Sequence, residues 1–76
     1  MTLLGELEPG EHARVAGYRN EDPAYRAQLL ALGLTPGALA EVVRRAPLGD
    51  PIQIRVRGAA LFLRKSDANV IVVEKC

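Results

Sequence analysis

The stretch Leu29-Leu30-Ala31-Leu32-Gly33-Leu34-Thr35-Pro36-Gly37 constrains this chain more than any other. It reads as the end of an amphipathic helix, halted at Gly33 and turned by Pro36-Gly37 into an extended segment. Upstream, Asp22-Pro23 marks the helix start. Aspartate accepts amide hydrogens that the first turn leaves without partners, and proline at the first helical position loses no needed donor. Between these signals Tyr25, Leu29 and Leu32 recur at i, i+4 and i+7, with Leu30 beside them and Arg26 and Gln28 off the stripe. The spacing predicts one helix from Pro23 to Leu32, with Gly33 in the left-handed position that ends many helices.

The rest of the chain alternates. Glu8-Pro9-Gly10 is a turn, and a first strand follows from Ala13 to Tyr18, with Ala13, Val15 and Gly17 on one face. A second runs from Leu39 to Arg45, its alternation blurred at Val42-Val43. After the turn Pro47-Leu48-Gly49-Asp50-Pro51, Ile52, Ile54 and Val56 alternate with Gln53, Arg55 and Arg57 at a clean period of two. Gly58 turns the chain again, and Leu61 and Leu63 alternate with Phe62 and Arg64. Ser66 to Asn69 forms a turn or a single helical turn, and Val70 to Glu74 closes as a strand. Five short strands around one small core predict an all-β fold with one inserted helix, closed into a partly open barrel.

Seventy-six residues make a single domain, 1–76, in which a chain of this size buries roughly 60% of its unfolded surface. One cysteine, Cys76, cannot form an internal disulfide, which points to a reducing compartment. No apolar run approaches the ~20 residues needed to span a bilayer, and the acidic start Met-Thr-Leu-Leu-Gly-Glu does not read as a signal sequence. A cytoplasmic domain without membrane insertion is expected. The net charge of +1 is unevenly spread. Residues 1–41 hold three arginines against six acids, whereas Arg44 to Lys65 holds six cations against Asp50 alone, a local charge of +5. Such asymmetry marks a partner-facing surface or, alternatively, arginine stems laid along apolar strands.

Chemistry-bearing clusters are sparse. Gly5 and Gly10 have the spacing of a phosphate-binding loop, but Glu11 and His12 stand where lysine and serine or threonine are required, and acids repel phosphate. His12, Glu11 and Glu8 are candidate cation ligands, and Cys76 is a further one. A site of one histidine and carboxylates is weak, so no cofactor is expected beyond weak binding of Fe2+ or Zn2+. Nothing here supplies a nucleophile–base pair, and the chain does not read as an enzyme. Single-strand nucleic-acid binders need stacking aromatics, and Phe62, Tyr18 and Tyr25 are too few to suggest one. If Leu61 and Leu63 point inward, Phe62 points outward beside Arg64, an arrangement suited to a protein interface. Arg55 and Arg57 on the neighbouring strand, with Tyr25 and Arg26 at the helix start, complete the candidate partner-binding set.

Taken in order, several blocks resemble the FeoA family. They are Tyr25-Arg26, Leu29-Leu30, Leu32-Gly33-Leu34 and Pro36-Gly37, then Val42-Val43-Arg44 and Ala46-Pro47-Leu48-Gly49-Asp50-Pro51-Ile52. Leu61, Leu63-Arg64-Lys65, Ala68 and Val70-Ile71-Val72 complete the pattern. The resemblance implies a small SH3-like five-stranded barrel with a helix between its first and second strands. It also implies an accessory, regulatory role at a membrane ferrous iron transporter that carries a guanine-nucleotide-binding domain. The chain would then sit in the cytoplasm, peripheral to the inner membrane through its partner, with weak homo-oligomers as a further expectation. A related domain ends some metal-dependent repressors, so a metal-responsive, transition-metal-binding module is the alternative.

Overall fold

The structure, a computed structural model, describes residues 2–20, 22–48 and 50–75. In chain order its elements are β1 (Thr2–Leu3), a 3-10 turn (Leu4–Glu6), β2 (His12–Tyr18), α1 (Pro23–Ala31) and β3 (Leu39–Arg45). These are followed by β4 (Ile52–Val56), β5 (Ala59–Leu63), α2 (Lys65–Ala68) and β6 (Ile71–Lys75).

Helix α1 starts and stops at its sequence signals. The Asp22 carboxylate accepts the Ala24 amide at 3.0 Å, and Pro23 occupies the first helical position. At the other end Gly33 adopts φ +93°. The Gly33 amide donates to the Leu30 carbonyl at 3.0 Å and the Leu34 amide to the Leu29 carbonyl at 3.1 Å, the paired bonds of a Schellman cap. This cap corrects the expected helix stripe. The helix ends at Ala31, so Leu32 is the capping residue and is left 43% exposed. The left-handed turn at Gly33 instead delivers Leu34 into the core beside Leu29, while Leu30 stays exposed.

The strands form one antiparallel sheet in the order β1-β6-β2-β3-β4-β5. It has six strands where five were expected, because the two residues of β1 pair with β6 through Thr2↔Val73 and Leu3↔Val72. Two residues cannot display an alternation. The sheet bends around its core at two bulges, where one extra residue shifts the register. One is Ala16 in β2, between Val15↔Val73 and Gly17↔Val72. The other is Val43 in β3, between Val42↔Ile54 and Arg44↔Gln53, which accounts for the blurred Val42-Val43 pattern.

Each bulge also reverses which side chains face inward. Before Ala16, Ala13 and Val15 are buried; after it, Tyr18 turns in and packs against the core opposite Ile71. Before Val43, Ala40 and Val42 are buried; after it, Arg45 turns in opposite Ile52. The core thus runs in rows across the sheet, among them Ala13–Ala40–Val56 and Val42–Ile54–Leu61. Leu4, Leu7, Leu34 and Ala68 close it from the connecting segments. The Arg45 guanidinium donates to the Gly5 carbonyl at 2.6 Å and to the Leu7 carbonyl, tying the N-terminal segment to β3.

Candidate functional site

The residues left outside the core rows form a second, outward set. The register carries one row across four strands, His12↔Glu41↔Arg55↔Ala60. A second row is Arg44↔Gln53↔Phe62. Alternation along β5 keeps Phe62 outward, 66% exposed, as expected from the buried Leu63. The outward faces of β4 and β5 therefore adjoin. Arg55, Phe62 and, one step further, Arg64 lie on the same side of the hairpin.

The electrostatics of this face are more divided than its sequence charge. Arg55 Nη1 lies 3.5 Å from Glu41 Oε1, so its charge is already met by a neighbour on β3. Arg44 Nε donates to Gln53 Oε1 at 2.8 Å beside the Phe62 ring. Arg57 is not on the strand face. It sits in the turn with φ +52°, and its guanidinium folds back onto Thr35 Oγ1 at 2.6 Å and the Gly33 carbonyl at 3.4 Å. Arg64 and Lys65 remain exposed at the far end of β5. Two depressions mark the face. A groove of about 640 Å³ lies among His12, Leu39, Glu41, Arg55 and Arg57, and a smaller one of about 230 Å³ lies among Arg44, Pro47, Pro51 and Phe62. Leu39, 44% exposed, floors the first and was not singled out by sequence reasoning. Its outward register opposite Arg14 was the signal, obscured by the apolar residues around it.

The helix start is held from within. The Tyr25 hydroxyl donates to the Asp67 carboxylate on α2, and the Arg26 guanidinium lies 5.6 Å from the centre of the Tyr18 ring. Partial burial, then the bond to Asp67 and its charge, push the Tyr25 phenol up to about 12. Tyr18, whose hydroxyl donates to the Leu34 carbonyl, is also raised by burial, with Arg26 acting in the opposite direction. Of the helix-start pair, Arg26 keeps the greater exposure.

The candidate cation ligands do not converge. Glu11 accepts the Glu8 amide at 2.7 Å and meets Lys75 Nζ at 3.1 Å. That amide bond, with Lys75 second, holds its carboxyl below the usual carboxylate range. His12 lies opposite Glu41 on the outer face, in the groove that Arg55 and Arg57 also line. Among the described residues, no three of His, Cys, Asp and Glu gather in a way that could hold a metal ion. Cys76 lies outside the described residues. No helix among them is long and apolar enough to cross a membrane.

Matches to known proteins span nearly the whole of this chain. The FeoA domain model matches residues 2–75. The chain is 34% identical over 71 residues to the Fe(2+) transport protein A/Fe(2+) transporter FeoB fusion protein of Porphyromonas gingivalis, covering 93% of this chain and 8% of that much longer one. The solution structure of FeoA from Chlorobium tepidum superposes with a TM-score of 0.88 at 42% identity, over 97% of this chain and 70% of that one. The zinc-complexed FeoA of Stenotrophomonas maltophilia, described as a prokaryotic SH3 domain protein, superposes at 0.84 with 27% identity, over 97% and 91% of the two chains. A manganese-dependent transcriptional repressor shares the fold alone, at 20% identity and a TM-score of 0.88 over 97% of this chain and 40% of its own. The curled sheet is therefore an SH3-like barrel with an inserted helix, and the chain belongs to the FeoA family of ferrous iron transport proteins.

Proposed function

We propose that this chain is a cytoplasmic accessory protein of bacterial ferrous iron transport. It binds the membrane iron transporter, with its guanine-nucleotide-binding domain, and modulates that transporter's activity or assembly. The observation that carries this reading is the Porphyromonas gingivalis relative, in which a matching domain and the FeoB transporter are one polypeptide. Covalent fusion keeps the two at high effective concentration, which is useful only to partners that act together. The outer face is the contact surface best suited to the role. It presents Phe62 as an aromatic anchor, Arg55 and Arg64 on the same side, and Arg57 at the turn, with Tyr25 and Arg26 as a second region. No chemistry of its own is required, and no nucleic acid enters the scheme.

The test is retention of the chain by membranes carrying a FeoB-type transporter, with and without guanine nucleotide. Folded Phe62→Ala, Arg55→Glu/Arg57→Glu and Arg26→Glu variants are compared with the parent. Charged contacts steer association and are screened by salt, so retention of the parent is expected to fall as ionic strength rises. Truncating the aromatic anchor by Phe62→Ala should cost more than truncating any single rim arginine to alanine, since buried aromatics dominate interface energies. Equal retention of all variants at low and high salt would place the contact elsewhere. The zinc-complexed Stenotrophomonas maltophilia relative supports a second reading, a metal-responsive module. That reading demands a saturable metal site.

A further inference from the structure

Strand β5 ends the sheet, and its free edge is unusual in carrying none of the features that normally blunt one. Natural edges are interrupted by charges, prolines or bulges, because unpaired amides and carbonyls invite another strand. The edge sequence Ala59-Ala60-Leu61-Phe62-Leu63 has no charge and no proline, and its register with β4 is unbroken from Ile52↔Leu63 to Val56↔Ala59. The opposite edge, β1, is only Thr2–Leu3.

The turn decides which groups are free. Arg57 at φ +52° and Gly58 at φ +80° form a two-residue turn with both central residues left-handed. Such a turn makes Val56 and Ala59 a hydrogen-bonded pair. Alternation then makes Ile54–Leu61 and Ile52–Leu63 hydrogen-bonded as well. The amides and carbonyls of Ala60 and Phe62 therefore point away from β4. Among the described residues, neither residue has a backbone or side-chain partner beyond that ladder. Two donors and two acceptors stand in line on an exposed, apolar strand.

Charge selects what can pair there. The hairpin from Ile52 to Lys65 carries Arg55, Arg57, Arg64 and Lys65 and no acid. A second copy of this chain is disfavoured. Self-pairing along Ala59–Leu63 brings the basic flanks of two copies, Arg57, Arg64 and Lys65 of each, to one seam, where like charges repel. An acidic strand meets the same flanks favourably.

We propose that the free edge of β5 takes an extended, acidic segment of the transporter as a seventh strand, its backbone paired with Ala60 and Phe62. This rests on the association proposed above and specifies how it is made. The added strand's outward side chains lie next to Phe62, which explains an exposed aromatic at this position. Main-chain pairing supplies the affinity and the neighbouring side chains the selectivity.

The experiment compares Ala60→Pro with Ala60→Thr in the full chain, using detergent-solubilised FeoB-type transporter as the probe. Proline at an edge position whose N–H faces outward removes that donor without breaking a bond to β4, whereas threonine keeps it. Ala60→Pro is expected to reduce retention at least ten-fold, and Ala60→Thr to leave it within two-fold of the parent. Hydrogen exchange on the unmodified chain supplies the second measurement and does not depend on the variant folding. Added transporter should slow the Ala60 and Phe62 amides at least ten-fold. Retention of both variants at the parent's level, or protection that spares these two amides, overturns strand addition while leaving the association intact. A parent that the transporter does not retain overturns the association and strand addition together. A dimer of the parent that Ala60→Pro dissolves would assign the edge to a second copy, against this proposal.

Discussion

At the level of single residues, the hydroxyls of Tyr18 and Tyr25 tie separate elements together. Each reaches from one element to another, Tyr18 to the Leu34 carbonyl after α1 and Tyr25 to Asp67 on α2. Both phenols are stabilised in the neutral form by partial burial, and the phenolate of Tyr25 would in addition lose its bond to Asp67 and face that carboxylate. A phenol whose pKa rises on folding adds stability that is complete below its unfolded value. That stability is lost as the pH climbs through the folded value. For Tyr25 the window runs from the ordinary 10.0 to about 12. Urea unfolding across this range should show stability falling with pH, and Tyr25→Phe should flatten part of the slope. At neutral pH the same variant should cost roughly 0.5–1 kcal/mol, the lower part of the range for one hydrogen bond, because the pair is half in water. An unchanged alkaline slope in Tyr25→Phe would show that Tyr25 does not titrate in this way.

Individual elements were legible wherever a local signal was complete. Asp22-Pro23 and Gly33 bracketed α1 because capping is decided within a few residues, and the clean alternation after Ile52 marked the β4–β5 hairpin. What local pattern could not supply was register. The Val42-Val43 doublet signalled an irregularity, but only pairing with β4 shows that Val43 is the extra residue and that Arg45 consequently turns inward. The pairing of Glu41 with Arg55 and the return of Arg57 to Thr35 likewise depend on which strands and loops meet. Among the candidate site residues Phe62 and Arg55 were legible, since a period-two argument on each strand placed them outside. The inward turn of Arg45 has a measurable consequence. Arg45→Met keeps the apolar stem but removes the bonds to the Gly5 and Leu7 carbonyls, and should destabilise the chain by about 1–3 kcal/mol. Amides of Thr2 to Leu7 should exchange faster than those of β3 in the same variant. Uniform acceleration across the sheet would mean that Arg45 supports the whole core and does not specifically anchor the N-terminal segment.

For the molecule as a whole, the open question is whether the shared fold brings a shared metal chemistry. The same barrel occurs in a zinc-complexed FeoA and in a manganese-dependent repressor, but a fold does not carry a site with it. A tight zinc or ferrous site needs three or four converging ligands. Here Glu11 is committed to the Glu8 amide and Lys75, and the carboxylate opposite His12, Glu41, is engaged by Arg55, while Arg57 lines the same groove. Calorimetric titration of the chain with Zn2+, and anaerobically with Fe2+, should therefore show binding weaker than micromolar, with a stoichiometry that His12→Ala alters little. Cys76 is the group that could change this outcome, so Cys76→Ser belongs in the same titration. A one-to-one, sub-micromolar site abolished by His12→Ala or Cys76→Ser would transfer the chain from adaptor to metal-responsive module. Weak binding unaffected by either substitution would count against the metal-responsive reading and leave the proposed association with the transporter to be decided by the retention experiments.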